Sequence, residues 1–231
     1  DRNEKQQIPW QNSWGISTRL IGALVMVHGD DKGLVLPPRV AQNKCVIVPI
    51  LFENGKDKVM NEAKKVAKLL NLYNPIFDDR EGYSPGWKFN EWELKGIPVR
   101  IEIGPKDVEK KQVILVRRDN NSKEAVKISK LKSKVKEVLD KMQSGMYSKA
   151  EKFLKSSIVE IKSFKEFEKV VKDKKIAAGM HCGDISCEDN VKDKLEGVKA
   201  MSMPFGQEKK TGKCVVCGSH GKYFVYFAKS Y

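Results

Sequence analysis

The sequence has no run of apolar residues approaching the eighteen or so that a membrane-crossing helix needs, so no membrane partner is expected. Its first residues, Asp1-Arg2-Asn3-Glu4-Lys5-Gln6-Gln7, have no apolar segment behind a basic start, which is not the pattern of a secretory signal. An initiating methionine is missing too, as expected of a stretch cut from a longer chain. Gly22, Gly29 and Gly33 lack the spacing of a phosphate-binding P-loop, and no Gly-Lys-Ser/Thr follows them. There is no internal repeat. Acidic residues are outnumbered, 30 against 44 lysines and arginines, giving a net charge of +14. Such an excess favours a polyanionic partner, because basic side chains release counterions from phosphates; a generally basic soluble protein is the other reading. The five cysteines form an odd set with no secretory signal, which argues for a reducing compartment. Four of them, Cys182, Cys187, Cys214 and Cys217, fall in the last fifty residues, a clustering that points to metal before disulfides.

Three textures divide the 231 residues: 1–44, 45–152 and 153–231. In the middle region, Cys45 to Ile50 is an apolar run suited to a buried strand. Val59, Ala63, Val66, Ala67 and Leu70 recur at helical spacing under a lysine-rich outer face, and Asn74-Pro75 ends the pattern. Ile76-Phe77 begins another short strand. Val99, Ile101 and Ile103 alternate with Arg100 and Glu102, predicting one buried face and one that offers charge. Val113 to Val116 reads as a central strand, and Leu131, Val135, Val138, Leu139 and Met142 as a second long helix. The lysines around that helix read as a solvated face. This order predicts an α/β domain on a mixed sheet. The third region repeats the pattern in miniature as a small α+β domain. A helix spans Phe164 to Val171, with strands at Ile176–Met180, Ala200–Pro204 and Lys222–Ala228.

Cys182-x4-Cys187 with Cys214-x2-Cys217 fits a four-thiolate zinc site, closed and therefore structural; four reduced cysteines in a small core is the alternative. His220 is not needed as a fifth ligand, and Cys45 reads as simply buried. His28 reads as a structural histidine in the Gly29-Asp30 turn.

Longer blocks carry a resemblance. Gln11-Asn12-Ser13-Trp14-Gly15-Ile16-Ser17-Thr18-Arg19, followed by His28-Gly29-Asp30-Asp31-Lys32-Gly33 and Leu36-Pro37-Pro38-Arg39-Val40-Ala41, resembles motif 3 of prolyl-tRNA synthetases. Tyr83-Ser84-Pro85-Gly86-Trp87-Lys88-Phe89-Asn90-Glu91-Trp92-Glu93-Leu94-Lys95-Gly96 and Glu102-Ile103-Gly104-Pro105-Lys106-Asp107 resemble their anticodon-binding domain. The stretch from Cys182-Gly183-Asp184 to Ser230-Tyr231 resembles the extra C-terminal domain of the eukaryotic and archaeal type. The similarity runs through essentially the whole chain.

The resemblance implies that residues 1–44 end a class II catalytic domain, as the tail of its antiparallel sheet. It also implies a cytoplasmic, homodimeric ligase that joins L-proline to proline tRNA through an adenylate, using ATP with Mg2+. Arg19 would lie against the ATP γ-phosphate, where a planar guanidinium fork stabilises charge that lysine does not match. Gln11, Ser17 and Thr18 would contact the nucleotide. Ser13, Trp14 and Gly15 would help form a tight proline pocket, the alternative for Trp14 being a plain core aromatic. Proline anticodons carry two adjacent guanines. Lys88, Glu93, Arg100, Glu102, Lys106 and Asp107 offer donors and acceptors for their edges around Trp87 and Trp92. The same residues could form a solvated rim over core aromatics. Tyr231 would tuck its carboxylate towards the active site. Motifs 1 and 2 find no match here, so these 231 residues alone are not expected to form adenylate. A catalytically silent tRNA-binding module, a segment of a fused glutamyl-prolyl enzyme, and a sibling class II synthetase are the other readings.

Overall fold

The computed structural model describes residues 4–6, 8–9, 11–52, 55–206 and 210–230. They belong to two compact units, Asp1–Tyr147 and Ser148–Tyr231.

In the first unit, α1 (Arg19–His28) is followed by β1 (Cys45–Pro49), α2 (Lys56–Leu69), β2 (Ile76–Phe77), α3 (Pro85–Leu94), β3 (Val99–Ile103), α4 (Pro105–Glu109), β4 (Gln112–Arg117) and β5 (Lys123–Lys127). The long helix α5 (Ile128–Ser157) comes next, and the division between the units falls within it, at 147/148. The sheet order is β2-β1-β3-β4-β5. β1 runs parallel to β2 and β3, while β4 is antiparallel to β3 and β5. The mixed sheet expected from the sequence is therefore present.

Alternation along the strands sorts side chains to two covered faces. Cys45 and Ile47 on β1 and Val99, Ile101 and Ile103 on β3 join Val59, Ala63 and Val66 of α2 and Leu131 to Met142 of α5 in one core. Val46 and Val48 point the other way, onto Trp92 and Phe89 of α3. This second cover corrects the expectation that β3 offers a charged face. Arg100 and Glu102 are each only 6% exposed, because α3 lies over them. They survive burial by pairing: Arg100 Nε donates to Glu102 Oε1 at 3.0 Å and Nη1 to Glu93 Oε1 at 3.0 Å, with the guanidinium 4.3 Å from the Phe89 ring centre.

α3 begins for local reasons. Ser84 accepts the Trp87 amide at its N-cap, and Pro85 occupies the first helical position, where a missing N–H costs nothing. Near its end the helix is tied to the segment after α1. Leu34 N–H donates to Leu94 O and Leu36 N–H to Gly96 O, while Arg118 donates to Glu93 O and, from both terminal nitrogens, to the Asp30 carboxylate. Gly33 has φ +119, and a Cβ there would lie 2.7 Å from Leu94 O, so this approach requires glycine.

The residues expected to end an antiparallel catalytic sheet are placed differently. Residues 11–17 are exposed coil, α1 buries none of its side chains, and no strand precedes Cys45 among the described residues.

The second unit contains β6 (Ile158–Glu160), α6 (Phe164–Lys172), β7 (Ile176–His181), α7 (Ile185–Lys194), β8 (Val198–Ser202) and β9 (Tyr223–Lys229). Its sheet order is β6-β7-β9-β8, with β6 parallel to β7 and the other pairs antiparallel. Phe167 of α6 and Phe227 of β9 are fully buried, ring centres 5.0 Å apart, and Ile161, Ala177, Val191 and Val215 pack around them. Each buried phenylalanine contributes about 2–3 kcal/mol.

Candidate anticodon-reading crevice and metal centre

Because β1, β2 and β3 are parallel, their C-terminal ends share one edge of the sheet, the usual position of a ligand crevice in open α/β sheets. The chain leaving β1 and β2 lines a groove of about 280 Å³ there, with Leu51, Phe52, Lys56, Arg80, Tyr83 and Lys88 on its walls.

A network centred on Asp78 builds this wall. The carboxylate is buried at the end of β2 and accepts two hydrogen bonds from Arg80 at 2.8 Å and one from Trp92 Nε1 at 2.7 Å. Lys88, also buried, sends its ammonium to Asp78 O at 3.2 Å and lies 3.7 Å from Oδ1. Burial alone would raise the Asp78 pKa. The hydrogen bonds from Arg80 and Trp92 and the charges of Lys88 and Arg80 outweigh it and hold the pKa at about 2. Arg80 is further clamped by Glu91.

So fixed, the Arg80 guanidinium stands 5.2 Å from the Tyr83 ring centre and 5.4 Å from that of Trp87. Those two rings stack at 4.1 Å, and both are nearly half exposed. An exposed aromatic pair backed by an immobilised cation is a surface on which an unpaired base can stack.

The six residues singled out for the anticodon separate in the structure. Lys88 lines the crevice. Lys106, exposed, and Asp107 sit on α4, which follows the end of β3, where Asp107 accepts the Gly104 amide at 3.0 Å and Gln112 Nε2 at 3.2 Å. Glu93, Arg100 and Glu102 pair with one another beneath α3. The crevice residues that sequence reasoning passed over are Asp78 and Arg80, whose only signal was a charged Asp78-Asp79-Arg80 run; Tyr83 opened the block resembling an anticodon-binding domain but was given no role.

Gln11, Ser13, Trp14, Gly15, Ser17, Thr18 and Arg19 lie on one exposed segment, Trp14 being 89% exposed. Tyr231 lies outside the described residues.

In the second unit the cysteines converge. Cys182 follows β7, and Cys187 sits in the first turn of α7, where the helix end favours a thiolate. Cys214 and Cys217 form a knuckle: Gly218 N–H donates to Cys214 O, Cys214 N–H to Ser219 O, and Val215 N–H to Met180 O of β7. Gly179 permits that approach, since a Cβ there would lie 2.8 Å from Val215 Cγ1.

One ring nitrogen of His181 and the sulfurs of Cys182, Cys187 and Cys214 lie within 4.8 Å of one another. Cys217 Sγ is 3.9 Å from Cys182 Sγ and 2.9 Å from Ser219 Oγ. A tetrahedral zinc ion with Zn–S bonds of about 2.3 Å sets its sulfurs about 3.8 Å apart. The donor set therefore fits such an ion. Burial raises the Cys187 and Cys214 thiols, although the amides of Cys217, Val216 and Cys182 oppose it at Cys214. The Ser219 hydroxyl and amide pull Cys217 down to about 6. Burial also lowers His181, against the charges of Glu188 and Asp184, keeping the imidazole neutral. His181 was not anticipated from the sequence; its signal was adjacency to Cys182.

Comparison with known proteins agrees with this geometry. Residues 44–138 match the family described as anticodon binding domain, and residues 164–231 the family described as prolyl-tRNA synthetase, C-terminal. Together they define a prolyl-tRNA synthetase C-terminal region with its anticodon-binding domain. Over its whole length the chain is 44% identical to proline–tRNA ligase of Lachnoclostridium phytofermentans. It is 42% identical to proline–tRNA ligase 2 of Bacillus thuringiensis (strain Al Hakam) and to proline–tRNA ligase of Clostridium novyi. In each case all of the chain aligns, to 48% of the relative, so the chain spans about half the length of the curated relatives it matches.

Proposed function

We propose that this chain is the anticodon-reading part of a ligase that joins L-proline to proline tRNA through a prolyl-adenylate, using ATP with Mg2+. The observation that carries the reading is the Tyr83–Trp87 platform held beside Arg80 at the shared ends of three parallel strands. Its exposed ring faces suit a splayed anticodon base, while the exposed Lys106 supplies a cation for guanine O6 and N7 or for phosphate and Lys88, buried on Asp78, fixes the wall. The paired Glu93, Arg100 and Glu102 support α3 from below. On this reading Arg19 meets the ATP γ-phosphate, Gln11, Ser17 and Thr18 meet the nucleotide, and Ser13, Trp14 and Gly15 meet proline. The exposure of all seven suits a surface completed by further protein. Tyr231 is assigned to the same active site by resemblance.

The cysteine centre holds a structural zinc ion, because four protein donors leave no open position for chemistry. The domain order is the one associated with the eukaryotic and archaeal type, carried here by a chain whose relatives named above are bacterial. A cytoplasmic homodimer is the corresponding setting; no helix among the described residues is long and apolar enough to cross a membrane.

The test is binding of the chain to proline tRNA at near-physiological salt. Tyr83→Ala and Trp87→Ala are each expected to cost about 1–3 kcal/mol, roughly 5- to 150-fold in Kd. Replacing both anticodon guanines should weaken the wild type clearly. Equal binding of native and altered anticodons would mean that lysine charge alone is at work, and the crevice assignment would fall. Proline-dependent ATP–pyrophosphate exchange is expected to be absent from these 231 residues; finding it would contradict the division of labour proposed.

A further inference from the structure

The metal centre has five donors in reach of a position that needs four. Four thiols account for the spacing pattern, yet the four donors that lie within 4.8 Å of one another are those of His181, Cys182, Cys187 and Cys214, with Cys217 Sγ 3.9 Å from Cys182 Sγ. The two differ in setting. Cys217 is exposed and stands at the tip of the knuckle, its sulfur beside the Ser219 hydroxyl. His181 is 8% exposed at the end of β7, and its backbone, next to that of Cys182, keeps the ring at the site.

The ring is held lightly. Nδ1 accepts one hydrogen bond, from Gly183 N–H at 3.1 Å, so the ring proton resides on Nε2. Nε2 is buried and has no hydrogen-bond partner among the described residues. The ring's one lone pair is therefore that of Nδ1, held by a single hydrogen bond at the Cys182–Gly183 turn beside the thiols. Neutral imidazole is a good zinc ligand.

We propose that His181 is a reserve ligand of this centre, taking the fourth position whenever Cys217 leaves it. The inference rests on the reading that the centre binds zinc. In the exchange the metal–sulfur bond to Cys217 breaks and a metal–nitrogen bond to His181 Nδ1 forms, its lone pair leaving the Gly183 N–H and the ring proton staying on Nε2, while Cys182, Cys187 and Cys214 stay bound. The site changes from four thiolates to three thiolates and one neutral imidazole, and its net charge becomes less negative by one. The consequence is a centre that keeps its metal when its most accessible thiol is alkylated or oxidised.

The probe is Co2+ added to the whole chain, followed by visible absorption and by metal content after dialysis. Wild type, Cys217→Ser and His181→Ala should each retain one tetrahedral Co2+ per chain. In Cys217→Ser the sulfur-to-cobalt charge-transfer intensity should fall from that of four thiolates to that of three. The double variant, left with three ligands, should lose the metal on dialysis. Zinc-edge X-ray absorption gives a second readout that needs no variant: alkylating Cys217 with iodoacetamide should change the shell from four sulfurs to three sulfurs and one nitrogen, without release. Loss of metal from either single variant, retention by the double variant, or release on alkylation overturns the reserve-ligand proposal while leaving zinc binding intact. Failure of the wild-type chain to bind any metal would overturn the zinc reading and this inference with it.

Discussion

Replacing Asp78 with alanine is expected to destabilise the first unit by about 3–5 kcal/mol, because a buried cation then loses its counter-charge. The Lys88 side chain is 4% exposed and the Asp78 side chain 0%, so water cannot substitute for the carboxylate. Trp92 Nε1 also loses its acceptor, and Arg80 keeps only Glu91. The effect should appear as a lowered midpoint in urea unfolding. Combining Asp78→Ala with Lys88→Met should recover part of it, since the uncompensated charge is removed.

The acid limb of the stability profile should change as well. The folded-state pKa of about 2 lies below the unfolded value of about 3.9. The contribution from Asp78, about 2 kcal/mol, is therefore fully present above about pH 4 and is lost as pH falls towards 2. In Asp78→Ala that part of the acid dependence should vanish. A variant with wild-type stability and acid sensitivity would show that the network is not what holds the crevice. If the network does hold it, tRNA binding should fall with Asp78→Ala even under conditions where the unit remains folded, because Arg80 would no longer be fixed beside Tyr83 and Trp87.

On the zinc reading proposed above, removing the metal is the second large effect expected. Structural zinc contributes an apparent 10–16 kcal/mol in small zinc domains at neutral pH, as much as the whole stability of an ordinary domain. The knuckle around Cys214 places Val215 into the core beside Ile161 and anchors to Met180 of β7. Chelation is therefore expected to release β7, β9 and α7 together, seen as lost hydrogen-exchange protection in those elements, with β1 and β3 still protected. Cys214→Ala combined with His181→Ala, which leaves three donors, should do the same without chelator. Unchanged protection after complete metal removal would show that the hydrophobic core suffices and the cluster is dispensable for folding.

Much of the scaffold was legible in the residues. Helical spacing marked α2 from Val59 to Leu70 and the buried stripe of α5, although α5 runs on to Ser157, past the last periodic apolar residue. β1 and β4 were marked by apolar runs and β9 by aromatic alternation. β5 and α7 were not, for a shared reason. In Lys123–Lys127 only Val126 is buried, and in α7 only Cys187 and Val191 are, so neither element carries a periodic signal. The resemblance blocks pointed to the kind of protein, and the cysteine spacings marked thiols that converge in the second unit.

By itself the sequence determined the elements that carry a periodic or continuous apolar signal, which residues of β3 share a buried face, and which thiols are spaced for a metal. Tertiary structure alone decided the rest. Alternation in a strand records that two faces differ, but not what lies over the second one; α3 covers it here, turning Arg100 and Glu102 from offered charges into a buried pair. Nor does spacing within one segment show which side chains of others arrive beside it. Asp78 fixes Arg80 against Tyr83 and Trp87 only because the end of β2 and the start of α3 meet at the same sheet edge. His181 joins the thiols only because the turn after β7, the first turn of α7 and the Cys214–Cys217 knuckle close on one point. Such convergence depends on long-range packing, which no local pattern of residues encodes.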